Sequence, residues 1–449
     1  MLIRANVSNF KSFNEPTELV MVSSSKIRRK EDHVRKIRGA KVLKYAVVYG
    51  ANAAGKSNLV DFFSFFQRVL LGGLTVTDAE LYCRNEEGNR TRPSSFELQF
   101  SIGERVFAYG FTAVLPEHVI YDEWLYDISG AKALGLLVRD SSSRNIISTE
   151  LDLDAQERVR FDTYASDFTE EHQSLFLEEL NRSKRYLPGS SFQVFVDVFE
   201  WLTKKVITVS PTKPPRDAKY LLSDEGIERA GKLLGFFDTG VSGIHQQEMT
   251  IEAFADIVGK EGLSRIRQDT DERLRGVVDG KIRGCLQTSD GFYFFDIYRD
   301  GISNVSVLRL RHSNVASLFD FKEESDGTKR LFDLMNILLT EEDDVVYVVD
   351  ELERSLHPML LKRFLELFME HNEDGSRQMV FSTHESSIMS QELFRRDEIW
   401  FVDRSEDGNS RLYSLDRFKD RFDKDIAKAY LDGRYGAIPV FSDFERVGV

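Results

Sequence analysis

The sequence predicts an α/β fold whose two halves lie far apart along the chain, and three observations predict it. The octet "GANAAGKS", Gly50 to Ser57, fits G-x-x-x-x-G-K-[ST] and stands between an apolar run, Tyr45 to Tyr49, and apolar residues at helical spacing, Leu59 to Leu71. A second apolar run, Val345 to Val349, ends in the acidic pair Asp350 and Glu351. Asp350 follows Lys56 by 294 residues, which suits two lobes separated by an insertion.

Taken in order, the opening residues read as two strands, followed by a charged run from Lys26 to Lys41 with eight Lys or Arg against two acids. That run is expected as a solvated loop between strands, with nucleic-acid or partner contact as the alternative. Gly72 and Gly73 stop the helix that follows the glycine loop. Ser94 to Asp127 alternates apolar and polar residues with Gly and Pro at turns, as antiparallel strands do. These elements, residues 1–127, form the expected first lobe.

Residues 128–304 form the expected insertion, a mix of helical stretches (Ser174 to Arg182, Ile227 to Gly240) and strand-like ones (Lys204 to Thr212, Gly291 to Asp300). It has no sustained heptads, so no long coiled coil is expected. The expected second lobe, residues 305–449, begins near "ESDGTKRLFDLMNILL", Glu324 to Leu339, whose Ser325 can cap a helix. Pro358 can open the next helix. "QMVFSTHES", Gln378 to Ser386, reads as the final core strand, ending in His384.

The glycine loop has a definite chemistry. Its backbone N–H groups and the helix dipole would cradle the α- and β-phosphates of ATP, Lys56 would reach the β- and γ-phosphates, and Ser57 would ligate Mg²⁺. Asp350 would hold the Mg²⁺ shell, with Glu351 as general base toward water. Ser325, Gly327 and the helix behind them could form a second anion site, suited to a γ-phosphate. The spacing is too long for a compact ring-type ATPase. No Asn-Lys-x-Asp guanine-reading element appears, the nearest being "FDKD" at Phe422 to Asp425.

Composition narrows the class further. Net charge is −14 in 449 residues, so nucleic-acid binding would need a local basic patch. Two cysteines, Cys83 and Cys285, suggest neither a zinc cage nor a disulfide framework. No apolar run approaches the roughly 18 residues of a membrane span, and the opening lacks a signal-peptide core. A cytoplasmic protein without a membrane partner is expected.

On the opening "IRANVSNFKSF", the loop "GANAAGKSN" with Asn52 and Asn58, "SDGTKR", "VVDELERSLHP" and "FSTHES", the chain resembles the SMC-like, RecF-like and OLD-like branch of the ABC ATPases. The ending "YLDGRYGAIPVF" and the stretch "FELQFSIGERVFAYGF" look like the stand-alone bacterial anti-phage ATPases of the RloA and PARIS AriA type. The resemblance implies an ABC-type two-lobed P-loop ATPase head with an α+β insertion. It makes Ser325, Gly327 and Lys329 a signature motif, Arg354 to Pro358 a D-loop and His384 a switch histidine. In such heads one subunit gives Gly50, Gly55, Lys56, Ser57, Asp350, Glu351 and His384, and another gives the signature residues. A homodimer or larger ring is implied, with a separately encoded effector and a phage protein as trigger, or DNA in a repair role. No Q-loop glutamine can be placed. The 65 residues after His384 are too few for the OLD nuclease domain, so none is expected.

Overall fold

The computed structural model describes residues 1–140, 146–211, 218–274, 281–288, 290–298, 301–419 and 425–439. Phe422, Asp423 and Lys424 of the rejected guanine element, and Val440 and Phe441 of the ending motif, lie outside the described residues. The chain forms two compact units: Met1–Pro211 with Glu342–Glu353 and Met369–Val449, and Thr212–Glu341 with Arg354–Phe368.

Along the chain come β1 (Leu2–Ser8), β2 (Thr17–Val20), β3 (Val34–Ile37), β4 (Ala40–Leu43), β5 (Tyr45–Tyr49) and α1 (Lys56–Gly72). Then follow β6 (Ser94–Ile102), β7 (Arg105–Val114), β8 (Val119–Asp127), β9 (Leu134–Asp140), β10 (Ile146–Ser148), α2 (Ala155–Asp167), α3 (Phe176–Asn181), α4 (Gln193–Glu200) and β11 (Val206–Val209). The second unit holds α5 (Asp224–Phe236), β12 (Val241–Glu248), α6 (Ile251–Leu274), β13 (Lys281–Gln287), β14 (Phe292–Tyr298), β15 (Gly301–His312), β16 (Leu318–Asp320) and α7 (Asp326–Leu339). The chain ends through β17 (Val346–Val349), α8 (Pro358–Glu370), β18 (Gln378–Thr383), β19 (Ile399–Arg404), β20 (Ser410–Ser414) and α9 (Ile426–Leu431).

In the first unit, a six-stranded sheet runs β11-β17-β18-β5-β19-β20 and a seven-stranded antiparallel sheet runs β10-β9-β8-β7-β6-β1-β2. The six-stranded sheet is parallel except for the β19–β20 pair. Every residue of β5 is buried, as a strand covered on both faces requires. Helix α1 supplies the cover on one face. Phe62 and Phe65 meet Phe96, and Phe66 meets Tyr109 and Phe111 of the antiparallel sheet, while Ala46, Val48, Val348 and Val402 join the same core. Each such phenylalanine contributes about 1.5–3 kcal/mol on burial.

Two expectations are corrected. Gln378 to Thr383 is not the final core strand, because the apolar run Ile399 to Val402 adds β19 beside β5 and β20 follows it. Nor is the basic run a solvated loop: β3 pairs with β4 as a hairpin after a 3₁₀ turn at Glu31–His33. The reason is that Ile27, His33 and Ile37, spaced among the cations, are buried. His33 Nδ1 lies 3.0 Å from both carboxylate oxygens of Glu398, and Arg395 donates to the Ile27 and Arg29 carbonyls while pairing with Asp397 at 2.9 Å. Lys26, Arg28, Arg29, Arg35, Lys36 and Arg38 face solvent.

The second unit has a five-stranded antiparallel sheet, β12-β15-β14-β13 with β16 added to β15, and a small core around Phe254, Tyr293 and Phe295. Its longest helix, α6, is broken at Gly259 (φ 71°), and no long coiled coil occurs among the described residues.

Helix α3 is tied to the antiparallel sheet through Glu123 on β8. Its fully buried carboxylate accepts from the N–H groups of Phe176 (2.6 Å) and Leu177 (3.0 Å) and from the Tyr109 hydroxyl (2.9 Å). Glu123→Ala strands those three donors, so urea denaturation should show a loss of about 3 kcal/mol with an unchanged m-value. Glu123→Gln, which keeps one acceptor oxygen, should lose less.

Candidate nucleotide site

The loop after β5 is shaped by close contacts. A Cβ on Gly50 would run into the Val402 carbonyl of β19, and Gly55 sits at φ 113°, where a Cβ would also strike the Ser12 and Ser410 hydroxyls. Only glycine fits there. Gly55 is the N-cap of α1 and no side chain among the described residues caps the helix, so its first N–H groups can donate to an anion.

Lys56 folds back over the loop. Its Nζ donates to the carbonyls of Gly50 (2.8 Å) and Ala51 (3.1 Å) and lies 3.3 Å from His384 Nδ1. Burial pushes its ammonium down to about 8, against the pull of Glu353, Asp350 and Glu351. Asn52 and Ser57 are exposed at the open side of the loop. Asn58 is turned inward, donating to Ser12 Oγ at 2.6 Å.

Two serines brace the loop from beneath. The Ser410 hydroxyl reaches the Ala54 carbonyl (2.5 Å) and Ser12 Oγ (2.7 Å), and the Ser410 N–H donates to the Ser12 carbonyl at 2.7 Å. Ser12 is itself held by its neighbours. Lys11 pairs with Asp61 on α1, and Asn9 and Asn14 fix the Cys83 to Arg92 segment through Asn89, Cys83 and Arg92.

On the other side stand the carboxylates. Asp350, nearly buried, accepts from Ser382 Oγ at 2.5 Å, and its N–H donates to Val209 of β11. The same Ser382 hydroxyl accepts from the Glu351 N–H at 2.9 Å. Glu351 sits at φ 47°, a left-handed conformation that costs a non-glycine residue on the order of 1 kcal/mol. One serine thus sets both acidic residues.

β18 lies between β5 and β17, so His384 falls between Lys56 and Asp350. Its ring is lowered below the ordinary histidine value by partial burial and by the Lys56 cation, which leaves it neutral at pH 7. With Lys56 donating to Nδ1, the ring proton resides on Nε2. The His384 N–H donates to Glu353 Oε1 at 2.5 Å.

The sequence-predicted signature residues lie in the second unit. Ser325 is the N-cap of α7, accepting from the Thr328 N–H at 3.1 Å, and Lys329 Nζ donates to the Lys322 carbonyl at 2.9 Å. Gly327 packs so closely on Ser355 that a Cβ would come within 2.9 Å of its carbonyl oxygen. Sequence motifs do not mark Ser12, Ser382, Ser410 and Glu353 as site residues. Ser12, Ser382 and Glu353 lie inside quoted motifs, whereas nothing local marks Ser410.

Among groups that could occupy the site, a nucleotide triphosphate with a divalent cation fits the donors present. Uncapped helix N–H groups and Lys56 suit phosphate oxygens, and the Ser57 hydroxyl and Asp350 carboxylate are hard oxygen ligands of the kind Mg²⁺ takes.

The fold and this loop define a P-loop ATPase. The model of the family described as "AAA domain, putative AbiEii toxin, Type IV TA system" matches residues 46–204 and 214–390, and the chain belongs to that family. No curated protein sequence matches it. Among solved structures, it is similar to an SMC head bound to the C-winged helix domain of ScpA, at 13% identity, covering 92% of this chain and 97% of that one, TM-score 0.40. An SMC head domain from Thermotoga maritima is similar at 14% identity, 92% and 98% coverage and TM-score 0.37. The Pyrococcus furiosus SMC head with an extended coiled coil, bound to the C-terminal domain of ScpA, gives 14%, 96% and 98%, and 0.38.

Lys56→Met should have opposite effects on nucleotide binding and on stability. ATP affinity should fall at least about tenfold, since a buried charge-assisted contact is lost. Thermal unfolding of the nucleotide-free protein at pH 7 should rise instead, because the native state no longer holds a desolvated cation. The native pKa near 8 lies below the unfolded value of 10.5. The stability penalty of Lys56 is therefore constant below pH 8, and the gain from the substitution should shrink between those two pH values.

Proposed function

We propose that the chain is an ATP-hydrolysing sensor and scaffold of a bacterial anti-phage defence system, which holds a separately encoded effector and releases it. The observation that carries the ATPase step is the placing of Lys56, His384, Asp350 and Glu351 at adjacent strand ends of one sheet. Support for the defence role is the motif resemblance, together with a family description that names a toxin of a toxin–antitoxin system.

In this reading the α1 N–H groups and Lys56 hold the β- and γ-phosphates, with Lys56 leaving its loop carbonyls to do so. Asn52 and Asn58 flank the loop that makes this cradle. Ser57 and Asp350 would hold Mg²⁺, which supplies charge neutralisation at the phosphates when bound. Glu351 takes the proton of the attacking water, its backbone held by the left-handed conformation and the Ser382 clamp. His384, neutral with a proton on Nε2, donates to a γ-phosphate oxygen. Ser325, Gly327 and Lys329 of a second copy close the site, so the phosphate holds a dimer or ring together until it is cleaved.

A second reading, a RecF-like DNA repair ATPase, is favoured by one feature, the outward-facing cations of the β3–β4 hairpin. It predicts DNA-stimulated turnover and salt-sensitive binding.

Glu351→Gln tests the first reading. It should bind ATP within about threefold of wild type, hydrolyse it at least about a hundredfold more slowly, and elute with ATP as a larger assembly by native mass. Co-elution of a second, non-ATPase chain from the native genomic neighbourhood supports the scaffold role. Wild-type turnover in this variant removes Glu351 as the base, and an assembly that retains DNA instead of protein moves the function to repair.

A further inference from the structure

We propose that Glu353 is a positioning residue for His384, tying the histidine loop to the start of the Arg354–Pro358 segment. The proposal rests on the ATPase reading of the site and adds a residue that the motif roles leave unused.

Glu353 is the third carboxylate after β17, and it is placed unlike the other two. Its Oε1 accepts the backbone N–H of His384 at 2.5 Å, across 31 residues of chain. Its Oε2 is buried and has no hydrogen-bond partner among the described residues. A carboxylate oxygen in that state costs free energy, and surface acids avoid it. Glu353 also heads the charges opposing the desolvation of Lys56, ahead of Asp350 and Glu351. A second such group stands near it: the Tyr49 hydroxyl, at the end of β5, is buried with no partner among the described residues, and Glu353 is the first charge acting on it.

The consequence is geometric. His384 follows the last residue of β18, beyond the sheet ladder that ends with the Thr383–Tyr49 pairing. With its ring exposed, its backbone direction is set by the Glu353 acceptor and by the local turn in which the Glu385 N–H bonds Thr383 Oγ1. Glu353 meets His384 at its backbone N–H, not at its ring. It sets where the His384 ring points relative to Lys56, and it does so from the residue just before the segment expected to be the D-loop. A change in that segment would therefore reach His384 through one side chain.

Two substitutions separate positioning from a structural role. Glu353→Ala removes the acceptor, and Glu353→Gln keeps a carbonyl oxygen for the His384 N–H. For the alanine variant, kcat should fall at least about tenfold, with ATP affinity within about threefold of wild type. Amide hydrogen exchange of a peptide spanning residues 379–388 should quicken, while peptides from β6 and β7 keep wild-type exchange. The glutamine variant should recover most of the lost rate and protection.

Wild-type exchange at His384 in the alanine variant overturns the proposal. So does a loss of ATP affinity as large as the loss in kcat, accompanied by faster exchange throughout the first unit, since that marks a merely structural residue. If the wild-type chain hydrolyses no ATP, the ATPase reading fails instead. The exchange comparison, which needs no turnover, then upholds the tether if the peptide quickens and overturns it if the peptide does not.

Discussion

The site depends on β18 pairing in parallel with both β5 and β17. Those two hydrogen-bond ladders bring segments nearly three hundred residues apart into one sheet and fix the order of their ends. With strands about 4.8 Å apart, the glycine loop and Asp350 stand roughly 10 Å from one another, with His384 between them. Ligands of parallel α/β sheets bind beyond such carboxyl ends, where loops diverge and backbone groups are free. Without the middle strand, Lys56 and Asp350 would be neighbours with no place for a histidine.

Different forces position different parts of this arrangement. Apolar burial, which is non-directional, holds α1 against the antiparallel sheet through its row of phenylalanines, in a core shared with residues of the six-stranded sheet. It sets the helix axis but cannot fix the loop before it to a few tenths of an ångström. Directional bonds do that, from Ser12 and Ser410 under the loop and from Ser382 under the carboxylates. The opening segment, at the far end of the sequence from Ser410, thereby becomes a wall of the phosphate loop.

The polar residues also carry the strain. Glu351 keeps a left-handed backbone, offset by its N–H bond to Ser382, and Lys56 keeps a buried ammonium with loop carbonyls as its partners. Both arrangements suit a site that meets a polyanion, because phosphate oxygens are better partners for Lys56 than the carbonyls. The second unit shows the converse: Ser325 and Lys329 have ordinary partners within their own chain, a helix cap and a carbonyl.

The sequence by itself determined the glycine loop, the limits of β5, the helix after it, the strand before Asp350, the cap at Ser325 and the strand ending at His384. Each is a local matter, because apolar periodicity, glycine conformation and capping are settled within a few residues. It misread the basic run, where three buried residues at irregular spacing were masked by eight cations, and it missed β19, whose role as a core strand depends on lying beside β5. Only the tertiary structure decided strand order, and with it the place of His384, the entry of Val206–Val209 beside β17, and the meeting of Ser12, Ser410 and Ala54. Those are pairings between residues far apart along the chain, and their hydrogen bonds leave no period or composition behind. Glu353 is the clearest instance: in sequence it is one acid among several, and its tie to the His384 N–H exists only because β17 and β18 are neighbours.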